Sequence, residues 1–125
     1  MRAIEYDTFG GPEVLNLVDV PVPEPGTGQV RVAVKTAGVN GIDWKIRAGH
    51  LGEQQMPQRP GVELAGVVDA VGPDAPAAVG DEVFGWAAPG MTHVEGWDGG
   101  FPAGAYAEYA LAEVVIPKPA ELLWT

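Results

Sequence analysis

The chain has 125 residues, no cysteine, and 7 basic against 17 acidic side chains, for a formal charge of −10. That length makes one ordinary domain able to bury roughly two-thirds of the surface its unfolded form exposes, so no covalent staples are needed. The missing cysteines exclude disulfides, thiolate nucleophiles and sulfur-based metal sites, while the acidic balance weighs against nucleic acid and anionic membrane surfaces as partners. The 18 glycines and 12 prolines divide the sequence into short Val- and Ala-rich blocks. This is the punctuation of many short strands.

In chain order, residues 2–6 and 14–20 read as the first strands. The Pro-rich stretch from Pro21 to Gly26 cannot pair inside a sheet and reads as an extended surface connector. Residues 30–37 alternate, with Val30, Val32 and Val34 on one face and Arg31 and Lys35 on the other. Residues 40–49 break the β pattern and predict a short helix. Asn40 stands at its cap, Asp43 in its first turn, Ile42 and Ile46 are spaced i,i+4, and Gly49 suits a left-handed end. Residues 61–71 are apolar on both faces apart from Glu63 and Asp69, which predicts a buried central strand; Gly66 within it marks a bulge or a close backbone approach. Residues 82–87 and 105–116 complete the strands. Residues 88–104 read as one long irregular loop. The stretch from Lys118 to Thr125 starts like a helix, with Pro119 in its first turn, and then leaves Leu122, Leu123 and Trp124 uncovered. The expectation is one domain over 1–118, with 119–125 opening a helix that leads into a further domain.

No apolar run approaches the roughly 18 residues of a membrane span, and acidic Glu5 and Asp7 are unlike a signal peptide. A cytoplasmic protein is the expectation. His50 and His93 stand far apart, so no metal site is expected.

A series of blocks carries a resemblance. It runs from Met1-Arg2-Ala3 and Phe9-Gly10-Gly11-Pro12 through Ala37-Gly38-Val39-Asn40-Gly41-Ile42-Asp43-Trp44-Lys45. It continues with Pro60-Gly61-Val62-Glu63-Leu64-Ala65-Gly66, Val79-Gly80-Asp81-Glu82-Val83-Phe84-Gly85, Gly104-Ala105-Tyr106-Ala107-Glu108-Tyr109 and Pro117-Lys118-Pro119. In order and spacing the chain resembles the N-terminal, GroES-like catalytic domain of the medium-chain dehydrogenases/reductases, in the zinc-independent quinone-oxidoreductase branch.

The resemblance implies a mainly β fold: a GroES-like, partly open β-barrel with one or two short helices, preceding a Rossmann domain. It implies NADPH as cofactor, bound mainly by that second domain, and hydride delivery to a quinone or an α,β-unsaturated carbonyl. It also implies a homodimer as the full-length protein. The zinc enzymes of the superfamily place a Cys, a hydroxyl residue and a His where this sequence has Asn40, Ile42 and Val62. None of the three side chains replaces a thiolate, a relay hydroxyl or an imidazole, so a zinc-free reductase is expected. Gly26-Thr27-Gly28 precedes a strand and is no dinucleotide fingerprint. This chain alone is therefore expected to bind NADPH weakly and to lack turnover.

Asn40 and Asp43 are the candidate catalytic residues; Asn40 donates from its amide to a substrate carbonyl or serves only as the helix cap, and the two roles are compatible. Asn40, Trp44 and Lys45 are the candidates for cofactor contact, with Lys45 toward a phosphate. Glu63, Trp86, Trp97 and Phe101 are the candidates for a substrate pocket, against ordinary packing as the plainer reading of the aromatics. His93 is a weaker candidate proton donor. Two alternatives stay open at the level of sequence: a stand-alone GroES-like binding or assembly module, and a zinc-free relative of alcohol dehydrogenase acting on another carbonyl.

Overall fold

The computed structural model describes residues 1–94 and 97–125, with the side chains of residues 97–99 outside the description. The strands are β1 (Arg2–Glu5), β2 (Asn16–Asp19), β3 (Val30–Ala37), β4 (Glu63–Val71), β5 (Glu82–Ala87), β6 (Pro89–Val94), β7 (Trp97–Pro102) and β8 (Tyr109–Pro117). Among the described residues one helix, α1 (Gly41–Arg47), lies between β3 and β4, and one 3₁₀ turn covers Pro12–Val14. The fold is mainly β with short helical pieces, as the sequence predicts.

Strands β3, β4, β5 and β8 pair in that order, all antiparallel, and β8 returns to β3. The β3–β8 ladder runs only from Val30 to Ala33, and Val34 N–H adds one bond to the Glu108 carbonyl at 3.0 Å. Beyond it β3 continues along β4 alone, so the barrel is open at that end. Register shifts on β3 at Arg31/Val32 and Val34/Thr36 supply the local twist that curls a sheet.

The interior follows from strand alternation. Val30 and Val32 are fully buried and Val34 packs against them, while Arg31 on the opposite face pairs with Asp69 of β4 at 2.9 Å. Leu64, Val68, Val83 and Ala87 fill the same core, and β8 contributes the small Ala110 and Ala112. Small side chains suit the narrow interior of a four-stranded ring. The reading of residues 61–71 as buried on both faces is corrected. Leu64, Gly66 and Val68 are buried, whereas the alternate positions Ala65, Val67 and Asp69 are only partly covered. Gly66 marks a close approach, since a Cβ there would overlap the Ala33 carbonyl across the β3–β4 pair.

The second correction concerns residues 88–104. Described β6 and β7 form an antiparallel pair with Pro89 opposite Pro102, Thr92 opposite Phe101 and Val94 opposite Trp97. The prolines sit at strand ends, where a missing N–H costs no ladder bond, and two register shifts blur the alternation that would have revealed the strands. The β1–β2 pair stands apart from the ring and joins the body through bridges at Ala3–Ala107 and Tyr6–Gln58. Residues 119–125, read as the start of a helix, make one turn closed by Leu122 N–H on the Pro119 carbonyl at 3.1 Å. Among the described residues no helix is long and apolar enough to cross a membrane.

Candidate functional site

The site forms where α1 meets the open end of the barrel. Helix α1 follows β3 directly, and Asp43 in its first turn reaches back so that its Oδ2 accepts the Asn40 N–H at 2.9 Å. The helix stops at the predicted place, with Gly49 in the left-handed region at φ +88°. Asp43 is only 7% exposed, which is costly for a carboxylate without partners. It has them: Oδ1 accepts the Gly61 N–H at 3.3 Å, and the Tyr106 hydroxyl lies 2.9 Å from Oδ2. That hydroxyl also lies 3.0 Å from the Gly38 carbonyl, so its single proton serves one of two facing acceptors. Burial, followed by the Asp43 hydrogen bond and charge, pushes the Tyr106 pKa well above the ordinary tyrosine value. Asp43 thus ties the segment before α1, the turn before β4 and the segment before β8 into one base.

Above this base lies a cavity of about 560 Å³. Asn40, Ile42, Val62, Glu63, Trp86, Phe101 and Glu113 are among the residues that line it. Four candidates separated by up to 61 positions therefore share one wall: Asn40, Glu63, Trp86 and Phe101. Asn40 Nδ2 donates to Glu63 Oε1 at 3.3 Å. Glu63 is exposed at the start of β4, directly opposite Trp86 of β5, and Trp86 is itself 59% exposed. The two charged groups of the lining, Glu63 and Glu113, are both acidic.

The remaining candidates fall elsewhere. Asp43 lies beneath the cavity, in the base. Trp44 and Lys45 are exposed on the outer face of α1, where the Lys45 ammonium sits 5.8 Å from the Trp44 ring centre and His50 meets that ring edge-on at 5.4 Å. The Trp97 side chain lies outside the described residues. His93 is exposed, and its backbone N–H and carbonyl are taken by the Gln54 side-chain amide at 2.6 Å each.

Sequence reasoning missed four contributors. Tyr106 was quoted as part of a motif but given no role; its partner Asp43 is 63 positions away. Gln58 and Thr92 are buried and joined by a 2.5 Å hydrogen bond that fixes the β6–β7 pair, and with it Phe101, to the body. Glu113 carried no local signal at all. A buried-polar prediction at Tyr106, from a hydroxyl set among Ala105 and Ala107, was the one available clue.

Residues 26–120 match the alcohol dehydrogenase GroES-like domain family. The chain is 41% identical to the quinone oxidoreductase of Lama guanicoe over 127 residues, covering 98% of this chain and 34% of that protein. The chain thus spans about a third of the length of the curated relatives it matches. Among solved structures, the Escherichia coli quinone oxidoreductase complexed with NADPH superimposes with a TM-score of 0.81 at 28% identity, covering 99% of this chain and 35% of that one. An NAD-dependent alcohol dehydrogenase gives a TM-score of 0.83 at 36% identity, covering 99% and 41%. The chain belongs to the alcohol dehydrogenase GroES-like domain family, in its quinone-oxidoreductase-like branch.

Proposed function

We propose that this chain is the substrate-side domain of a zinc-independent, NADPH-dependent oxidoreductase that transfers hydride to a quinone or an α,β-unsaturated carbonyl. The observation that carries the reading is the convergence of Asn40, Ile42 and Val62 on one cavity wall. These are the positions at which the zinc enzymes of the superfamily place a thiolate, a hydroxyl and an imidazole. An amide beside two aliphatic side chains makes a poor cation site and a good neutral wall with a single hydrogen-bond donor.

The same lining suits the substrate. Ile42, Val62, Trp86 and Phe101 offer apolar and aromatic faces to a planar acceptor, while Glu63 and Glu113 oppose a carboxylate or phosphate. The Asn40 amide supplies the hydrogen bond for the carbonyl oxygen. Charge that develops there spreads by resonance into an enolate or hydroquinone, which lowers the stabilisation the protein must provide. Bound NADPH would supply the hydride. Asn40 fits contact with its nicotinamide end, and exposed Lys45 beside Trp44 fits contact with its phosphate-bearing end.

The test is NADPH oxidation by the intact protein that carries this chain, after chelation, with a quinone and an enone as acceptors. Turnover that survives chelation is the expected result. Activity that returns only with added zinc overturns the zinc-free assignment. The likeness to an NAD-dependent alcohol dehydrogenase favours a second reading, a reductase of simple carbonyls. An acceptor panel in which aldehydes outpace quinones and enones would select it.

A further inference from the structure

Glu63 is exposed on the cavity wall, where its side chain opposes an anionic ligand. Its surroundings are nevertheless built around its side chain. The Glu63 carbonyl accepts the Gly38 N–H at 3.2 Å, so the segment from Gly38 to Asn40 is anchored on the same residue whose carboxylate accepts the Asn40 amide. Gly38 makes room for that carboxylate. A Cβ at position 38 would overlap Glu63 Oε1 and would lie 2.7 Å from Cγ and 2.8 Å from Cδ. On the other side, Trp86 stands opposite Glu63 in the β4–β5 register. Two independent observations, a hydrogen bond and a glycine whose missing side chain is the space the carboxylate occupies, thus point to the same geometry.

The structure assigns Glu63 as the positioning residue for Asn40: its carboxylate takes one amide N–H and leaves the second as the donor that faces a ligand carbonyl. An Asn side chain offers two N–H hydrogens and one carbonyl oxygen; at the cap of α1 the Asn40 side chain also faces the Asp43 backbone N–H, which suits its oxygen and leaves the NH₂ end to Glu63. A carboxylate accepts and does not donate, so it binds the NH₂ end alone and turns the Asn40 carbonyl away from itself. Polar groups in the cavity are then not interchangeable: a ligand that accepts a hydrogen bond is matched, and one that only donates is not. The orientation of the amide stands independently of the proposed function; its consequence for turnover rests on that reading. A proton-donor role for Glu63 makes the opposite demand, because Gln retains the acceptor oxygen but has no acid proton.

The experiment has two arms. In this chain, labelled with ¹⁵N at Asn, the two Asn40 side-chain amide protons are compared in the wild type and in Glu63→Ala, Glu63→Gln and Gly38→Ala. The expected result is a separated, slowly exchanging pair in the wild type and in Glu63→Gln. The pair collapses toward that of a free amide in Glu63→Ala, and in Gly38→Ala, which displaces the carboxylate without removing it. Identical amide signals in the wild type and Glu63→Ala overturn the assignment. In the intact protein, kcat for quinone reduction by NADPH is expected to fall about tenfold in Glu63→Ala, with KM for NADPH unchanged and recovery in Glu63→Gln. A Glu63→Gln variant as slow as Glu63→Ala overturns positioning in favour of a role for the charge or the proton. If the wild-type protein reduces neither quinone nor enone, the functional reading falls, and the amide signals still decide the orientation.

Discussion

The base of the site and its rim are built on opposite terms. In the base, Asp43 is buried and meets three donors within the chain, and Tyr106 closes the network against the Gly38 carbonyl. In the rim, Trp86, Glu63, Glu113 and Val114 are exposed, and the two carboxylates accept from side-chain amides at the surface, Glu63 from Asn40 and Glu113 from Gln29. A fully satisfied buried network contributes to stability and leaves little to offer a ligand, whereas exposed aromatic area and a spare amide N–H have their interactions still to make. The contrast separates the residues that hold the site together from those with interaction energy available for binding.

Variants that break this contrast have graded effects. The largest is expected for Asp43→Ala, which leaves the Gly61 N–H and the Asn40 N–H without their acceptor, while the Tyr106 hydroxyl keeps the Gly38 carbonyl. A loss of about 3 kcal/mol follows from two unmet donors, measured by urea denaturation; a loss within error would show that water replaces the carboxylate freely. Next is Thr92→Val, which keeps the shape but leaves Gln58 Oε1 without its buried donor. About 1–2 kcal/mol is expected, together with faster amide exchange in β6 and β7. Unchanged exchange there would mean that the hairpin is held by something else.

The pH dependence sharpens the same comparison. The folded-state pKa of Tyr106 is raised by burial and then by Asp43, and burial also raises that of Tyr6. Folding thus favours the protonated phenols: this contribution is fully present below about pH 10, the ordinary tyrosine value, and is lost as pH rises above it. Denaturation midpoints are expected to fall above that pH, less steeply in Tyr106→Phe. A variant curve parallel to the wild type would remove Tyr106 from the linkage. The smallest stability effect belongs to the rim. Trp86→Ala is expected to stay within about 0.5 kcal/mol of the wild type, as surface changes usually do, while weakening the binding of an apolar acceptor. A large stability loss would make Trp86 a packing residue and weaken the case for the cavity.

Much of this site was legible in advance. Asn40 and Glu63 were singled out from short motifs and Trp86 and Phe101 as aromatics beside an expected loop, and the four line one cavity. The alternation of residues 30–37 and the start and stop of α1 were read correctly because each depends on neighbours a few positions away. The β6–β7 pair was not legible, because prolines and two register shifts erase the period-2 signal that marks a strand. Trp44 and Lys45 share the helix with Asp43 but face outward: a seven-residue helix puts successive side chains on different faces, and docking decides which face is covered.

The sequence by itself determined the local grammar of this protein: short alternating strands, one short helix, glycines at close approaches, and an amide and two aliphatic side chains at positions 40, 42 and 62. Only the tertiary structure decided the partners. The Tyr106–Asp43 contact spans 63 positions, Thr92–Gln58 spans 34 and Asn40–Glu63 spans 23. Periodicity and capping act over one or two turns of chain, whereas these polar pairs are set by which strands close the ring and in what register.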